Sequence, residues 1–335
     1  MSGRRVLITG ATGGLGFALI REALARGHSV LATGRSEEAG EKLARLGAEF
    51  IALDLADPRT DLRQLARGRD SVIHAAALSA SWGPREVFET TNVTMTRRLL
   101  QAATDEAVSR FVFVSSPSIF ASFVDRLGIG EDEAPASALN NYARTKLAAE
   151  RIVLASRSGG PACCAIRPRA LVGPGDRVIL PRLAALARRK RMPLPGGGTA
   201  VIELTDLRDA ARAICEAEQR LPALAGKAIN ISGGNPVTVR EVAERLAASL
   251  GENPRLVSLP LVIARPLASL VEACARLRSS LEEPALTRYT LATLGWSQTF
   301  DQEPARRMLD YRPRHDALVT MLDEARKLAA KDVPQ

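Results

Sequence analysis

Near the amino end, four residues of strand character, Val6 to Thr9, pass directly into Gly10, Ala11, Thr12, Gly13, Gly14, Leu15 and Gly16, and a helical stretch, Phe17 to Arg26, follows and stops at Gly27. A TGxxGxxG turn between a strand and a helix restricts the fold more than any other feature of the chain. The outer glycines let the backbone bend sharply, and they let an anion reach the unpaired N–H groups and positive dipole end of the helix. In this context the pattern predicts a dinucleotide pyrophosphate held over Gly10, Thr12, Gly13, Gly14, Leu15 and Gly16.

The rest of the first half agrees. Apolar runs of strand length recur at Val30 to Thr33, Glu49 to Leu53, Ser71 to His74, Phe111 to Ser115 and Cys163 to Ile166, with helical patterns between them. That alternation predicts βαβ units and a Rossmann-like, doubly wound parallel sheet of the α/β class. Residues are 46% hydrophobic but only 4% aromatic, so Ala, Leu, Val and Ile must fill the core. Such a composition suits parallel strands covered by Ala-rich helices. Beyond Ile166 the regularity fades and Pro and Gly cluster. Two later stretches, Val201 to Leu204 and Ala228 to Ile231, still read as strands that return to the main sheet. The expected division is a dinucleotide-binding domain over 1–167 with returns within 201–231, and a smaller, discontinuous substrate-binding cap over 168–200 and 232–335.

The net charge of +9 is compatible with nucleic acid, a membrane surface or a small anionic ligand. The densest basic run, Arg182 to Arg191, has Leu and Ala at helical spacing and no interleaved aromatics for base stacking, so it reads as a solvated helix face and not a nucleic-acid site. The four cysteines, 163, 164, 215 and 274, lack metal-ligand spacing and are expected to be buried, reduced thiols, with no metal bound. The apolar run after Arg4 and Arg5 is too short for a signal-peptide core or a membrane span. A cytoplasmic protein without stable membrane insertion is therefore expected.

The end of the second strand reads Ala32, Thr33, Gly34, Arg35, Ser36. A carboxylate there would hold the 2′-hydroxyl of NAD and repel a 2′-phosphate, whereas Arg35 favours NADP(H), with NAD(H) the second choice. Asp54 and Leu55 after strand three, and Ala75, Ala76 and Ala77 after strand four, are further candidates to contact the dinucleotide. His74 is read as a strand end.

Tyr142 and Lys146 lie one turn apart on a predicted helix, where an ammonium would lower the phenol's pKa toward working pH and ready it to exchange a proton with a carbonyl oxygen. Upstream, a buried strand empties into Ser115, Ser116, Pro117 and Ser118. Strand carboxyl ends face the ligand crevice in such sheets, so Ser116 can donate to a substrate oxygen.

Taken in this order, the glycine turn, the strand ending in serines and the YxxxK pair resemble the short-chain dehydrogenase/reductase superfamily. Four later segments are similar to its extended branch, the NAD(P)-dependent epimerase/dehydratase superfamily: Arg167 to Gly175, Leu204 to Ala210, Asn230 to Gly234, and Leu309 to Pro313. The chain looks closest to its 3β-hydroxysteroid dehydrogenase-like and β-keto-acid reductase members. That resemblance implies Ser116, Tyr142 and Lys146 as the catalytic set, Tyr142 as acid/base, Lys146 also on the ribose, Pro168 beside the cofactor, and a homodimer. Asn92 matches a family asparagine whose role here is open.

Within the branch, the main competitor is a nucleotide-sugar epimerase or dehydratase, and a non-catalytic NADP-binding protein is the weaker alternative. Pro117 and Ser118 replace the dehydratases' Asp-Glu pair, and Ala170, Thr199, Ala200 and Val201 replace residues that serve a substrate diphosphate. The expectation is an oxidoreductase acting on an apolar ketone or alcohol, with Trp82, Ser116, Ser118, Phe120 and Arg169 on the substrate. The apolar stretch Leu259 to Val271 is expected beside Trp82 and Phe120 in the same pocket.

Overall fold

The computed structural model describes residues 3–133, 135–156, 159–278 and 280–332. The outermost positions of both expected domains, 1–2 and 333–335, therefore lie outside the described residues. In chain order the strands are β1 (Arg5–Thr9), β2 (Ser29–Gly34), β3 (Glu49–Ala52), β4 (Ser71–His74), β5 (Arg110–Val114), β6 (Arg126–Ile129), β7 (Ala162–Pro168) and β8 (Leu171–Val172). They continue with β9 (Arg191–Pro195), β10 (Val201–Ile202), β11 (Thr205–Asp206), β12 (Ala228–Ile231), β13 (Val237–Thr238), β14 (Arg255–Leu259) and β15 (Gln298–Phe300).

Seven strands form one sheet in the order β12-β7-β5-β4-β1-β2-β3, and every pairing in it is parallel. The order reverses between β1 and β4, which opens a crevice at their carboxyl ends. Pleating sends alternate residues to opposite faces. Val6 and Ile8 pack into one core layer with Ile73 and Val112, while Leu7 enters the other with Leu31, Val72 and Phe111. Truncating a fully buried side chain such as Leu7 to Ala would cost about 2–5 kcal/mol.

Strand β12 joins this sheet beside β7, as its sequence predicts, but Val201 and Ile202 do not. Strand β10 is two residues long and pairs with β13 and β15 in a separate four-stranded sheet, β13-β10-β15-β6. So short a strand satisfies its backbone wherever partners are near, and residue type does not decide which sheet it enters. A third core layer covers the crevice, built from Leu180, Leu194, Ile202, Val242, Leu246 and Met321 with their neighbours. Cys163, Cys164 and Cys215 are buried, whereas Cys274 is exposed, against expectation, on the helix Leu261–Leu277. Among the described residues, no helix is long and apolar enough to cross a membrane.

Candidate active site

A cavity of about 800 Å³ runs from the glycine turn, along the carboxyl ends of the main strands, into the third core layer. At its first end the helix Gly14–Ala25 begins with Gly13 as N-cap, with no side chain capping it and no acidic residue in its first turn. Those N–H groups are left for an anion. Gly10 has φ of +69°, and a Cβ there would lie 2.7 Å from the Ala76 nitrogen. A Cβ on Gly16 would lie 2.2 Å from the Gly10 carbonyl oxygen. The turn thus packs directly against the β4 end and the start of its own helix, which only glycine permits.

Thr12, Leu15, Asp54, Leu55, Ala75 and Ala77 line this end, as do Pro168 and the glycines. One Asp54 carboxylate oxygen accepts from the Ala56 nitrogen at 2.9 Å. Arg35 also lines it, and so does Arg177, which sequence reading missed because its loop reaches the site only in the fold. Neither forms an ion pair among the described residues, although Arg177 lies near enough to help hold the Glu38 carboxyl below its ordinary value. An uncapped helix start, a close glycine turn and two free guanidinium groups fit a dinucleotide.

The helix Asn141–Leu154 starts where the Asn140 side chain accepts from the Ala143 nitrogen at 2.8 Å. Tyr142, Lys146 and Glu150 follow on successive turns of one face. Lys146 is buried; its Nζ donates to the Val114 carbonyl at 2.5 Å and sits 4.2 Å from the centre of the Phe113 ring. Burial pushes its pKa down to about 7, with the Glu150 carboxylate opposing. Glu150 in turn takes a two-pronged ion pair from Arg167, at 2.6 and 2.9 Å, buried on both sides.

Tyr142 and Ser116 meet at the cavity, the Ser116 hydroxyl serving as hydrogen-bond partner to the phenol. Ser116, two residues past β5, is extended, and its Oγ accepts from the Ser118 nitrogen at 3.2 Å, which fixes the hydroxyl. The phenol departs from expectation. Burial is the largest influence and raises its pKa to about 12, Tyr289 adds to that rise, and Ser116 only partly offsets it. Lys146 does not lower it, because the amine is turned to the Val114 carbonyl and is itself desolvated.

Asn92 occupies a π-helical turn, Glu89–Thr94, and its side chain both accepts from the Leu78 nitrogen (2.7 Å) and donates to Thr145 (3.0 Å). It ties the loop after β4 to the tyrosine helix. His74 is buried between Thr9 and Thr96, and burial takes its pKa down to about 3, so it stays neutral.

At the far end of the cavity, the sequence-based substrate residues divide. Ser116, Ser118 and Arg169 line it. Phe120 does not: it is fully buried with Ile119, Ile129 and Phe300, and the Arg126 and Arg167 guanidiniums lie 5.4 and 5.3 Å from its ring. Trp82 is also outside the cavity lining; its indole donates to the Ser280 carbonyl at 3.0 Å. Likewise Val262, Ile263 and Leu270 of the 259–271 stretch face solvent, because the small Ala264 and Ala268 are the positions that seat that helix. The apolar walls come instead from Leu183, Leu186, Leu194, Val242, Leu246 and Leu294. The basic run leaves its helix early, because the helix Ile179–Ala187 stops before Arg188 and Arg191 opens β9; Arg182, on the helix, lines the cavity and pairs with Glu283 at 2.7 Å. Tyr289, beside Ser118, Arg169 and Arg182, is the main substrate-side residue that sequence reading missed. No local motif marks it.

The description "NAD dependent epimerase/dehydratase family" matches residues 6–232. A 2-alkyl-3-oxoalkanoate reductase of Stenotrophomonas maltophilia (strain K279a) is 36% identical over 92% of this chain and 95% of its own length. A 3beta-hydroxysteroid-dehydrogenase/decarboxylase (isoform 2) of Arabidopsis thaliana is 29% identical over 79% of this chain and 49% of that protein. The solved structure of MoeE5 in complex with UDP-glucose and NAD aligns with a TM-score of 0.76 and 26% identity, covering 97% of this chain and 99% of that one. The chain belongs to the NAD-dependent epimerase/dehydratase family, the extended short-chain dehydrogenases. It is an enzyme, an NAD(P)-dependent oxidoreductase.

Proposed function

We propose that the protein uses NADPH to reduce the carbonyl of an apolar ketone or 3-oxo acid. One observation carries the reading: a phenol held protonated, with a serine hydroxyl beside it, opens onto a largely apolar cavity. When bound, a reduced nicotinamide cofactor supplies the hydride. Tyr142 holds a proton on its phenolic oxygen and gives it to the carbonyl oxygen as charge develops there, and Ser116 donates a second hydrogen bond to that oxygen. Lys146, anchored to the Val114 carbonyl, positions the tyrosine helix against β5 and reaches the ribose. A protonated phenol is the form that can give a proton to the carbonyl oxygen.

Arg35 and Arg177, without ion pairs among the described residues at the adenosine end, support a 2′-phosphate. The relative named 2-alkyl-3-oxoalkanoate reductase supports the substrate class. In this reading residues 1–167, with the return at 228–231, hold the cofactor, and the remainder closes over the substrate; the enzyme acts in the cytoplasm as a homodimer.

Purified protein would be screened for NADPH and NADH oxidation against long-chain 3-oxo acids, ketosteroids and nucleotide sugars. NADPH-dependent reduction of a 3-oxo acid or ketosteroid is expected. Cofactor retained through purification, with conversion of a nucleotide sugar and no net oxidation, would overturn the proposal in favour of an epimerase.

A further inference from the structure

Arg169 is 6% exposed, lines the cavity, and forms no ion pair among the described residues; its Nε is buried without any hydrogen-bond partner. A cation removed from water without an anion to face it is costly, and the cost is offset only when one arrives. Glu203 lies within electrostatic reach and offsets part of this cost, but the two form no ion pair, and a Glu203 carboxylate oxygen accepts from the Phe300 nitrogen at 3.0 Å. Arg182, the other guanidinium at this end, is already neutralised by Glu283. One guanidinium therefore remains in the chamber without an ion-pair partner, its buried Nε facing no acceptor.

Tyr289 lines the same cavity, within electrostatic reach of both Arg169 and Tyr142, and its hydroxyl can donate. An anionic group seated against Arg169 and Tyr289 thus lies close to a carbonyl seated against Tyr142 and Ser116. We infer that Arg169 and Tyr289 bind the carboxylate of a 3-oxo acid, leaving its alkyl chain to the walls formed by Leu183, Leu186, Val242 and Leu246. A nucleoside diphosphate would bring two or more negative charges to a single guanidinium without an ion-pair partner. This inference rests on the reduction proposed above and narrows its substrate.

The site also protects what it binds. A 3-oxo acid loses CO2 most readily when its carboxylic proton bridges to its own ketone oxygen. A carboxylate paired with a guanidinium carries no such proton. Reduction then proceeds with the C–CO2⁻ bond intact: the carbonyl carbon gains the hydride as the nicotinamide is oxidised, the oxygen gains the Tyr142 proton, and a 3-hydroxy acid leaves.

The test compares 3-oxododecanoate with its methyl ester, using NADPH and the full-length enzyme. Wild type should favour the acid, and Arg169→Met should cut kcat/KM for the acid on the order of 100-fold, mostly through KM, while the ester is retained. Arg169→Lys should restore part of the acid activity, and Tyr289→Phe should show the same selectivity at smaller size. Should Arg169→Met fail to fold, the wild-type preference and these two milder variants carry the test. Equal use of acid and ester by wild type, or equal loss of both in a folded, NADPH-binding variant, would overturn the inference while leaving ketone reduction standing. Inactivity toward both substrates would instead overturn the reading beneath it.

Discussion

At one end of the cavity a single contiguous stretch, Gly10 to Gly16, supplies the turn, the helix start and the close backbone approach. At the other, Leu183, Leu194, Leu246 and Tyr289 come from four separate segments and form a wall only once they are folded together. The first end offers backbone N–H groups and free arginines to charged phosphates. The second offers apolar side chains around one buried guanidinium. A ligand class is therefore set by local geometry at the cofactor end and by tertiary assembly at the substrate end. Tyr142 and Ser116 sit where the two meet.

Breaking that junction should have the largest effect. Tyr142→Phe removes the proton and keeps the ring, so turnover should fall roughly 10²–10⁴-fold while NADPH affinity, read by fluorescence titration, changes little. Unchanged turnover would remove Tyr142 from the chemistry.

A smaller change should be confined to the cofactor end. If Arg35 meets a 2′-phosphate, Arg35→Ala should lower the preference for NADPH over NADH by about ten- to hundredfold, in line with a lost hydrogen bond to a charged group. A constant ratio of the two kcat/KM values would count against NADP(H) selection by this residue.

The last effect concerns Lys146 and stability. Its amine ordinarily releases its proton near pH 10.5 and does so at about 7 in the fold. Between those values the unfolded chain binds a proton that the folded chain does not, so stability rises with pH across that window, and the cost is greatest below pH 7. Lys146→Met removes the group, and its stability relative to wild type should fall as pH rises from 7 to 10, by at most about 1.4 kcal/mol per pH unit. Urea unfolding of cofactor-free protein at several pH values measures it, and parallel curves would show that the burial cost is absent.

Much of the sheet was readable because each main strand is a short apolar run bounded by turn residues, and the glycine turn announces its own context. Even β12, remote in the chain, carried that signature. Strand β10 misled because a two-residue strand takes its sheet from its neighbours. Phe120 is expected with Trp82 at the substrate, but the turn Pro117–Phe120 points its ring into the packing around Ile129 and Phe300. The stretch 259–271 has the apolar spacing of a buried helix, yet seats itself through two alanines and leaves its larger residues outside. Periodicity reports that a helix has an apolar face without saying what the face meets.

The order of residues along the chain determined the glycine turn, the YxxxK spacing, the serine-ended strand and the absence of a carboxylate after β2, since each depends on neighbours a few positions apart. Only the tertiary structure decided that burial raises the Tyr142 pKa, that Lys146 turns to Val114, and that Arg169 lines the chamber without an ion-pair partner. Those outcomes depend on desolvation and on which distant groups come within reach, and both are properties of packing.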